Sequence, residues 1–131
     1  AAKPGLESGY MMAQAAAAAL ASENKTLAHP ASADTIPTSA GQEDHVSMGV
    51  WAARKLRQVL HNTQLIVAIE LLAAASALDA RAPLKPSPAL RAAHRAIRRR
   101  IRPLKGDRVL ATDIENMAQM VKEGVLAGRL A

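Results

Sequence analysis

Cysteine and phenylalanine are both absent from this 131-residue chain, and tryptophan and tyrosine occur once each. Without cysteine there is no disulfide framework, no thiolate metal site and no cysteine nucleophile, a composition typical of a reducing compartment. No uncharged apolar run reaches the roughly 18 residues that a membrane span needs, so we expect no membrane segment. We therefore expect a cytoplasmic protein.

Alanine supplies much of the apolar content: the chain has 30 alanines, and half of all residues are hydrophobic. Small side chains suit closely packed helices better than a sheet core rich in valine, isoleucine and phenylalanine. They also bury little area per residue, so a chain of this length gains from a partner that completes its core.

The net charge of +6 is concentrated in one segment. Residues 81–108 hold ten of the 17 Lys and Arg residues and one acid, Asp107. Helical spacing predicts one shared face for four of the arginines: Arg91, Arg95, Arg98 and Arg102. A solvated face, or salt bridges to another subunit, explains such a face more simply than nucleic-acid binding, because no zinc finger, recognition-helix dimer or stacking aromatic accompanies it.

Hydrophobic periodicity predicts an all-α fold with a long central helix and shorter flanking helices. The predicted helices span about 8–27, 44–79, 88–102 and 112–123, with an ordered loop over 28–44. Ser8 is a candidate cap for the first helix, and Ser87 or Pro88 begins the third. Thr112 and Glu115 match a capping box at the start of the fourth.

The first predicted helix has an alternative interpretation. Lys3 followed by the apolar stretch 11–21 has the outline of a signal peptide. Gln14 within the apolar run and Glu7 before it favour a buried alanine-rich helix instead, with its alanines as a close-packing face.

The second helix carries an apolar stripe over nine turns, about 50 Å. The stripe consists of Val46, Val50, Ala53, Leu56, Leu60, Thr63, Val67, Leu71, Ala74 and Leu78. From Leu65 to Leu78 the helix is apolar on every side except at Glu70 and Ser76. A helix apolar on every side is buried on every side. We therefore predict a multi-helix bundle shared between subunits. We expect Glu70 to be a core carboxylate paired with an arginine or with a backbone N–H group.

Polar side chains are concentrated where the loop meets this helix, in residues 38–47. Asp44 or Ser47 is a candidate helix cap, and Glu43 is then a first-turn acid favoured by the helix dipole. A functional site is the alternative. A metal site is not expected, because the spacing of His29, His45 and His61 does not gather ligands around one ion. We expect His45 to be structural, with a hydrogen bond inside this junction.

Several motifs of this region together resemble a known family. They are Ser22-Glu23-Asn24-Lys25, His29-Pro30-Ala31-Ser32, Pro37-Thr38-Ser39, Gln42-Glu43-Asp44-His45-Val46-Ser47-Met48, Ala52-Ala53-Arg54 and Ala68-Ile69-Glu70-Leu71-Leu72-Ala73-Ala74. In this order they resemble the C-terminal part of the histidine ammonia-lyases, members of the aromatic amino acid lyase family.

The resemblance implies an enzyme that eliminates ammonia from L-histidine to give trans-urocanate. It implies a methylidene-imidazolone prosthetic group, formed from an internal Ala-Ser-Gly, and a mostly helical homotetramer whose active sites draw residues from several subunits. This chain contains no Ala-Ser-Gly, and Ser39-Ala40-Gly41 has a different order. We therefore expect about the last quarter of such an enzyme, inactive by itself.

Within this resemblance, Glu43 is the predicted catalytic residue. The histidine-specific members carry glutamate at this position, and the phenylalanine and tyrosine lyases typically carry glutamine. A carboxylate accepts a hydrogen bond from the amine or imidazole of the substrate and takes up a proton when suitably oriented. Gln42 is the weaker candidate, for a polar contact with substrate. Gly41 replaces an asparagine found in many members, so any contact from that side chain is absent.

Two further hypotheses come from other classes of protein. One is a non-catalytic helical oligomerisation module, a relic of a lyase gene. The other, less favoured, is a basic nucleic-acid-binding module built on residues 91–108.

Overall fold

The computed structural model describes residues 5–127. Within them the regular secondary structure is helical, as predicted, with no β-strand. The four α-helices are α1 (Met11–Leu27), α2 (Gly49–Ala80), α3 (Pro88–Arg100) and α4 (Ala111–Lys122). The loop between α1 and α2 contains two short 3-10 turns, Ala31–Ala33 and Ser39–Gly41.

The start of α1 is fixed by a residue that is distant in sequence, and not by a local cap. Its N-cap residue is Tyr10, whose side chain forms no capping hydrogen bond, so the prediction that Ser8 caps the helix is wrong. Instead, the backbone N–H groups of Ser8 and Gly9 donate to Asp107, at 2.7 and 2.8 Å. These two bonds lower the pKa of the Asp107 carboxyl. The prediction of a buried helix is also wrong for the single chain. Within Met11–Leu27, Ala13 is buried and the other residues are partly or fully exposed.

Helix α2 begins five residues later than predicted, because the backbone before it is committed to the loop. The N–H of Val46 donates to Thr35 Oγ1 at 2.8 Å, and the same hydroxyl donates to the carbonyl of Val46 at 3.1 Å. Neither predicted cap occupies the N-cap position, which is Met48 with no side-chain bond. Ser47 contributes only a 3.3 Å contact from the N–H of Gly49 to its hydroxyl.

The core lies around the second half of α2. Ala68, Leu72 and Ala75 belong to one buried cluster with residues of α3 and α4, among them Ile97 and Met117. Ala93, Ala96, Ile101, Met120 and Leu126 complete the cluster. The first half of α2 packs on α1 and leaves much of the predicted stripe uncovered.

Glu70 is exposed, and the part of the chain that the structure describes gives it no hydrogen bond or ion pair. The prediction of a paired core carboxylate is therefore wrong for the single chain. Periodicity identified a helix correctly here but not its covered face, because a helix apolar all round has no unique inner side.

By length and composition alone, α2 is able to cross a membrane. A core helix of a soluble protein passes the same test. Only 22% of the most apolar window of α2 is buried within the described residues.

Helices α3 and α4 follow the predictions closely. Ser87 caps α3 by accepting a hydrogen bond from the N–H of Leu90 at 3.4 Å, and Pro88 is the first helical residue. The capping box of α4 is wrong, because its N-cap is Leu110, with no side-chain bond. Gly124, at φ 67°, follows the last turn, as expected for a helix that ends in a left-handed residue.

Candidate functional site

Two sets of hydrogen bonds fix the loop between α1 and α2, residues 28–48. Lys55 of α2 donates a hydrogen bond to the carbonyl of His29. The Thr35 hydroxyl forms two hydrogen bonds with the backbone of Val46, and these close an inner segment, residues 35–46. The segment that carries the predicted site residues is therefore held by defined contacts at both ends.

Inside that segment, Thr38 and Glu43 form an isolated antiparallel bridge. The N–H of Thr38 donates to the carbonyl of Glu43 at 3.0 Å, and the N–H of Glu43 donates to the carbonyl of Thr38 at 3.3 Å. Between them, Ser39, Ala40 and Gly41 have positive φ values of 52°, 55° and 85°. Non-glycine residues rarely adopt this conformation, which costs about 1 kcal/mol or more each and persists only where surrounding contacts impose it.

The Glu43 side chain is exposed in the single chain, and one of its oxygens has a partner. Thr38 Oγ1 donates to Glu43 Oε2 at 2.5 Å. No other side-chain bond to Glu43 occurs within residues 5–127, so Oε1 is open. The prediction that Glu43 is a first-turn acid of α2 is wrong, because the helix begins six residues further on, at Gly49. A tight loop, and not the helix dipole, sets its position.

The other predicted residues of this junction are exposed and contribute less. The backbone N–H of Gln42 donates to the carbonyl of Ser39 at 3.1 Å, but its side chain forms no bond among the described residues. The same holds for the side chain of His45, so its predicted hydrogen bond inside the junction is wrong.

A surface cavity of about 570 Å³ lies beside this loop, between the end of α1 and the start of α2. Its lining residues are Thr26, Leu27, His29, Trp51, Arg54, Lys55, Arg57 and Gln58. Arg54 lies over the Trp51 ring, 5.6 Å from its centroid. Neither Gln42 nor Glu43 lines this cavity.

A second polar cluster joins the end of α2 to α3. Asp79 accepts hydrogen bonds from Arg98 at 2.5 Å and from His94 at 2.7 Å. Burial raises the pKa of the Asp79 carboxyl, but the bonds and charges of Arg98 and His94 outweigh it and hold the pKa below its usual value. The hydroxyl of Ser76 bonds to Tyr10 at 3.0 Å and accepts from Arg98 at 3.4 Å.

This cluster changes the interpretation of the basic segment. Arg98 is largely buried against α2 and does not share the exposed face predicted for it with Arg91 and Arg95. Arg100 pairs with Glu123 at 2.8 Å, and Arg108 pairs with Asp113 at 2.6 Å. Arg98, Arg100 and Arg108 are therefore paired within this chain itself. Residues 5–127 contain no group of three His, Asp or Glu side chains placed to hold a metal ion.

Two threonines that were not predicted from the sequence fix the loop. Thr35 and Thr38 lie 11 and 5 residues from their partners. Neither spacing belongs to a helix or a hairpin rule, so only the polarity of the segment hinted at them.

Comparison with known proteins agrees with the helical fold. The family model for "Aromatic amino acid lyase" matches residues 1–99. The chain is 60% identical over 122 residues to the histidine ammonia-lyase of Symbiobacterium thermophilum, covering 93% of this chain and 24% of the relative. It is 57% identical over 122 residues to the histidine ammonia-lyase of Anaeromyxobacter dehalogenans, with the same coverage of each.

Solved structures with a similar fold include a histidine ammonia-lyase and a tyrosine aminomutase. The crystal structure of the histidine ammonia-lyase from Trypanosoma cruzi matches 96% of this chain and 25% of its own, with a TM-score of 0.92 and 45% identity. Tyrosine aminomutase from Streptomyces globisporus matches 98% of this chain and 24% of its own, with a TM-score of 0.91 and 41% identity.

The fold is thus that of a helical segment found in ammonia-lyases and in a related aminomutase. This chain belongs to the aromatic amino acid lyase family, and it spans about a quarter of the length of the relatives it matches.

Proposed function

We propose that this chain is the C-terminal part of a histidine ammonia-lyase, which eliminates ammonia from L-histidine to give trans-urocanate. The observation that carries the proposal is the identity of 60% to a histidine ammonia-lyase over 93% of the chain. The aminomutase has an almost equal TM-score but only 41% identity, so sequence and not fold favours the histidine enzymes.

The proposed contribution of this chain to the chemistry is Glu43. Its Oε2 is bonded to Thr38, and its open Oε1 is available to a substrate. A carboxylate there accepts a hydrogen bond from the amine or imidazole of histidine and takes up a proton released during elimination. Gln42, exposed beside it, is the proposed residue for a further polar contact with substrate.

The methylidene-imidazolone group of this family supplies an electrophile when present. The sequence of this chain has no Ala-Ser-Gly from which that group forms, so other sequence has to provide it. The chain provides the loop around Glu43 and the long helix α2. We further propose a homotetramer in the cytoplasm, with neighbouring subunits closing the pocket at Glu43.

A chimeric enzyme tests this proposal. In it, this chain replaces the matched region of the Symbiobacterium thermophilum relative, and urocanate formation from L-histidine is followed by absorbance. We expect an active chimera and an inactive 131-residue chain by itself. Glu43→Gln should lower kcat at least about 100-fold, because glutamine binds but does not act as a base at neutral pH.

Glu115→Gln is the matched control, since Glu115 is exposed on α4 and forms no bond among the described residues. It should leave kcat unchanged. Near-normal turnover of Glu43→Gln would remove Glu43 from the reaction. A chimera that assembles but forms no urocanate would instead support the non-catalytic oligomerisation module.

A further inference from the structure

The contact between Thr38 and Glu43 extends the proposed function by one residue. We propose that Thr38 is a positioning residue, which holds Oε2 of Glu43 so that Oε1 faces the substrate. This inference rests on the proposed function. It adds a residue whose hydroxyl never touches substrate and acts only through the carboxylate.

Thr38 directly precedes the turn Ser39–Gly41, whose positive φ values differ from those of a right-handed helix. The Thr38 side chain forms no cap bond to this turn. Its hydroxyl instead donates to Glu43 Oε2 at 2.5 Å, a distance typical of a charge-assisted hydrogen bond.

The backbone makes this side-chain contact a rigid one. The reciprocal N–H and carbonyl bonds of 3.0 and 3.3 Å place Thr38 and Glu43 directly opposite each other. Threonine is also stiff at its first side-chain torsion, because it is branched at Cβ. An exposed glutamate otherwise samples many rotamers, so the hydroxyl is what restricts the carboxylate to one orientation.

In this orientation the two carboxylate oxygens of Glu43 have different roles. Oε2 stays bonded to the threonine, which keeps its own proton throughout. Oε1 keeps its lone pairs free and is the atom that receives a proton from substrate. Loss of the hydroxyl leaves the base present but poorly aimed, so we expect the rate of the chemical step to fall while substrate binding changes little.

The test uses two variants of Thr38 in the active chimera. Thr38→Val keeps the branched shape and the backbone bonds but removes the donor, and it should lower kcat about 10- to 100-fold with KM changed less than about threefold. Thr38→Ser keeps the donor and should restore kcat to within about threefold of the parent. Thr112→Val, an exposed threonine of α4 with no side-chain bond in the described part of the chain, should behave as the parent.

A double-mutant cycle then separates positioning from a general structural role. If Thr38 acts through the carboxylate, Thr38→Val has no further effect on kcat once Glu43 is Ala. Equal losses in Thr38→Val and Thr38→Ser, or an undiminished loss in the Glu43→Ala background, would overturn the proposal.

A measurement without enzyme activity keeps this inference distinct from the proposed function. In the 131-residue chain, NMR scalar couplings of Glu43 should indicate one dominant side-chain rotamer, and Thr38→Val should average them while Thr38→Ser does not. Averaged couplings in the parent chain would refute the positioning of Glu43, even if the chimera forms urocanate. An inactive chimera with the expected couplings would refute the lyase function and leave the contact intact.

Discussion

At the residue scale, the clearest structural polar group is Asn62 of α2, which is 1% exposed. Its amide donates to the Glu23 carboxylate at 2.8 Å and to the Asn24 carbonyl at 3.0 Å, and its carbonyl accepts from Gln58 at 2.9 Å. Because its donors and its acceptor are paired, the hydrogen bonds of this buried amide offset its desolvation cost while they join two helices. Asn62 therefore holds the end of α1 against α2, just before the loop that carries Glu43.

We predict that Asn62→Ala destabilises the chain by about 2–3 kcal/mol, because it removes three hydrogen bonds and leaves a cavity. Urea unfolding at one fixed protein concentration measures the change. Asn116→Ala is the control, since Asn116 is exposed on α4 and has no bond among the described residues. It should be neutral or slightly stabilising, because alanine is the better helix former. Equal stability of the parent and Asn62→Ala would contradict this role.

At the scale of elements, two aspartates, each bonded to groups of another segment, join parts of the chain that are distant in sequence. Asp107 binds the backbone ahead of α1, and Asp79 binds α3 through His94 and Arg98. Arg98 is 12% exposed, and its Nε has no hydrogen-bond partner among the described residues. The carboxylate of Asp79 is thus the main compensation for a largely buried guanidinium.

We predict that Asp79→Asn lowers the stability at pH 7 by about 1–3 kcal/mol, because Arg98 then loses its counter-charge. The pKa of Asp79 is lower in the folded chain than in the unfolded one. Its stabilisation is therefore complete above the unfolded pKa and is lost as the pH falls through the folded one, below about pH 4. The difference in the free energy of unfolding between the parent and Asp79→Asn should therefore become smaller at acid pH.

Urea unfolding of both proteins at neutral and acid pH checks this prediction. Asp107 and Glu123 also have lowered pKa values, but both proteins share their contribution, so it cancels in the difference. Glu115→Gln should show no stability change at pH 7. A gap that widens on acidification would show that the sign of the Asp79 effect is wrong.

At the scale of the whole molecule, the uncovered stripe of α2 is the main feature. Val50 is 80% exposed and Leu60 is 55% exposed, and Trp51 and Leu56 lie exposed on the same half of the helix. Exposed large apolar residues in this number on one helix mark a contact surface. Since the relatives are about four times longer, their remaining sequence or a second copy has to cover it.

We predict that the 131-residue chain by itself forms a homo-oligomer through this stripe. Leu60→Glu places a charge in that contact and should shift the chain to monomer without loss of helix content. Analytical ultracentrifugation and circular dichroism measure the two effects. Val109→Glu is the control, because Val109 is 82% exposed but lies in the segment before α4, and it should leave the oligomer unchanged. A monomeric parent chain would contradict the prediction.

Much of the fold was predictable because it follows local rules. The periodicity of apolar residues placed all four helices, and Ser87 before Pro88 set the start of α3. Errors occurred where contacts between distant segments decided the outcome. Thr35 delays the start of α2, and Asp107 replaces the predicted Ser8 cap of α1.

The sequence by itself determined the helices, the family resemblance and the choice of Glu43 as the candidate base. The tertiary structure decided which face of α2 is covered and how the Glu43 carboxylate is held. The physical reason is range: helix periodicity and capping act within a few residues, whereas the bond from Thr38 to Glu43 and the packing of α2 depend on a chain path that no local pattern encodes.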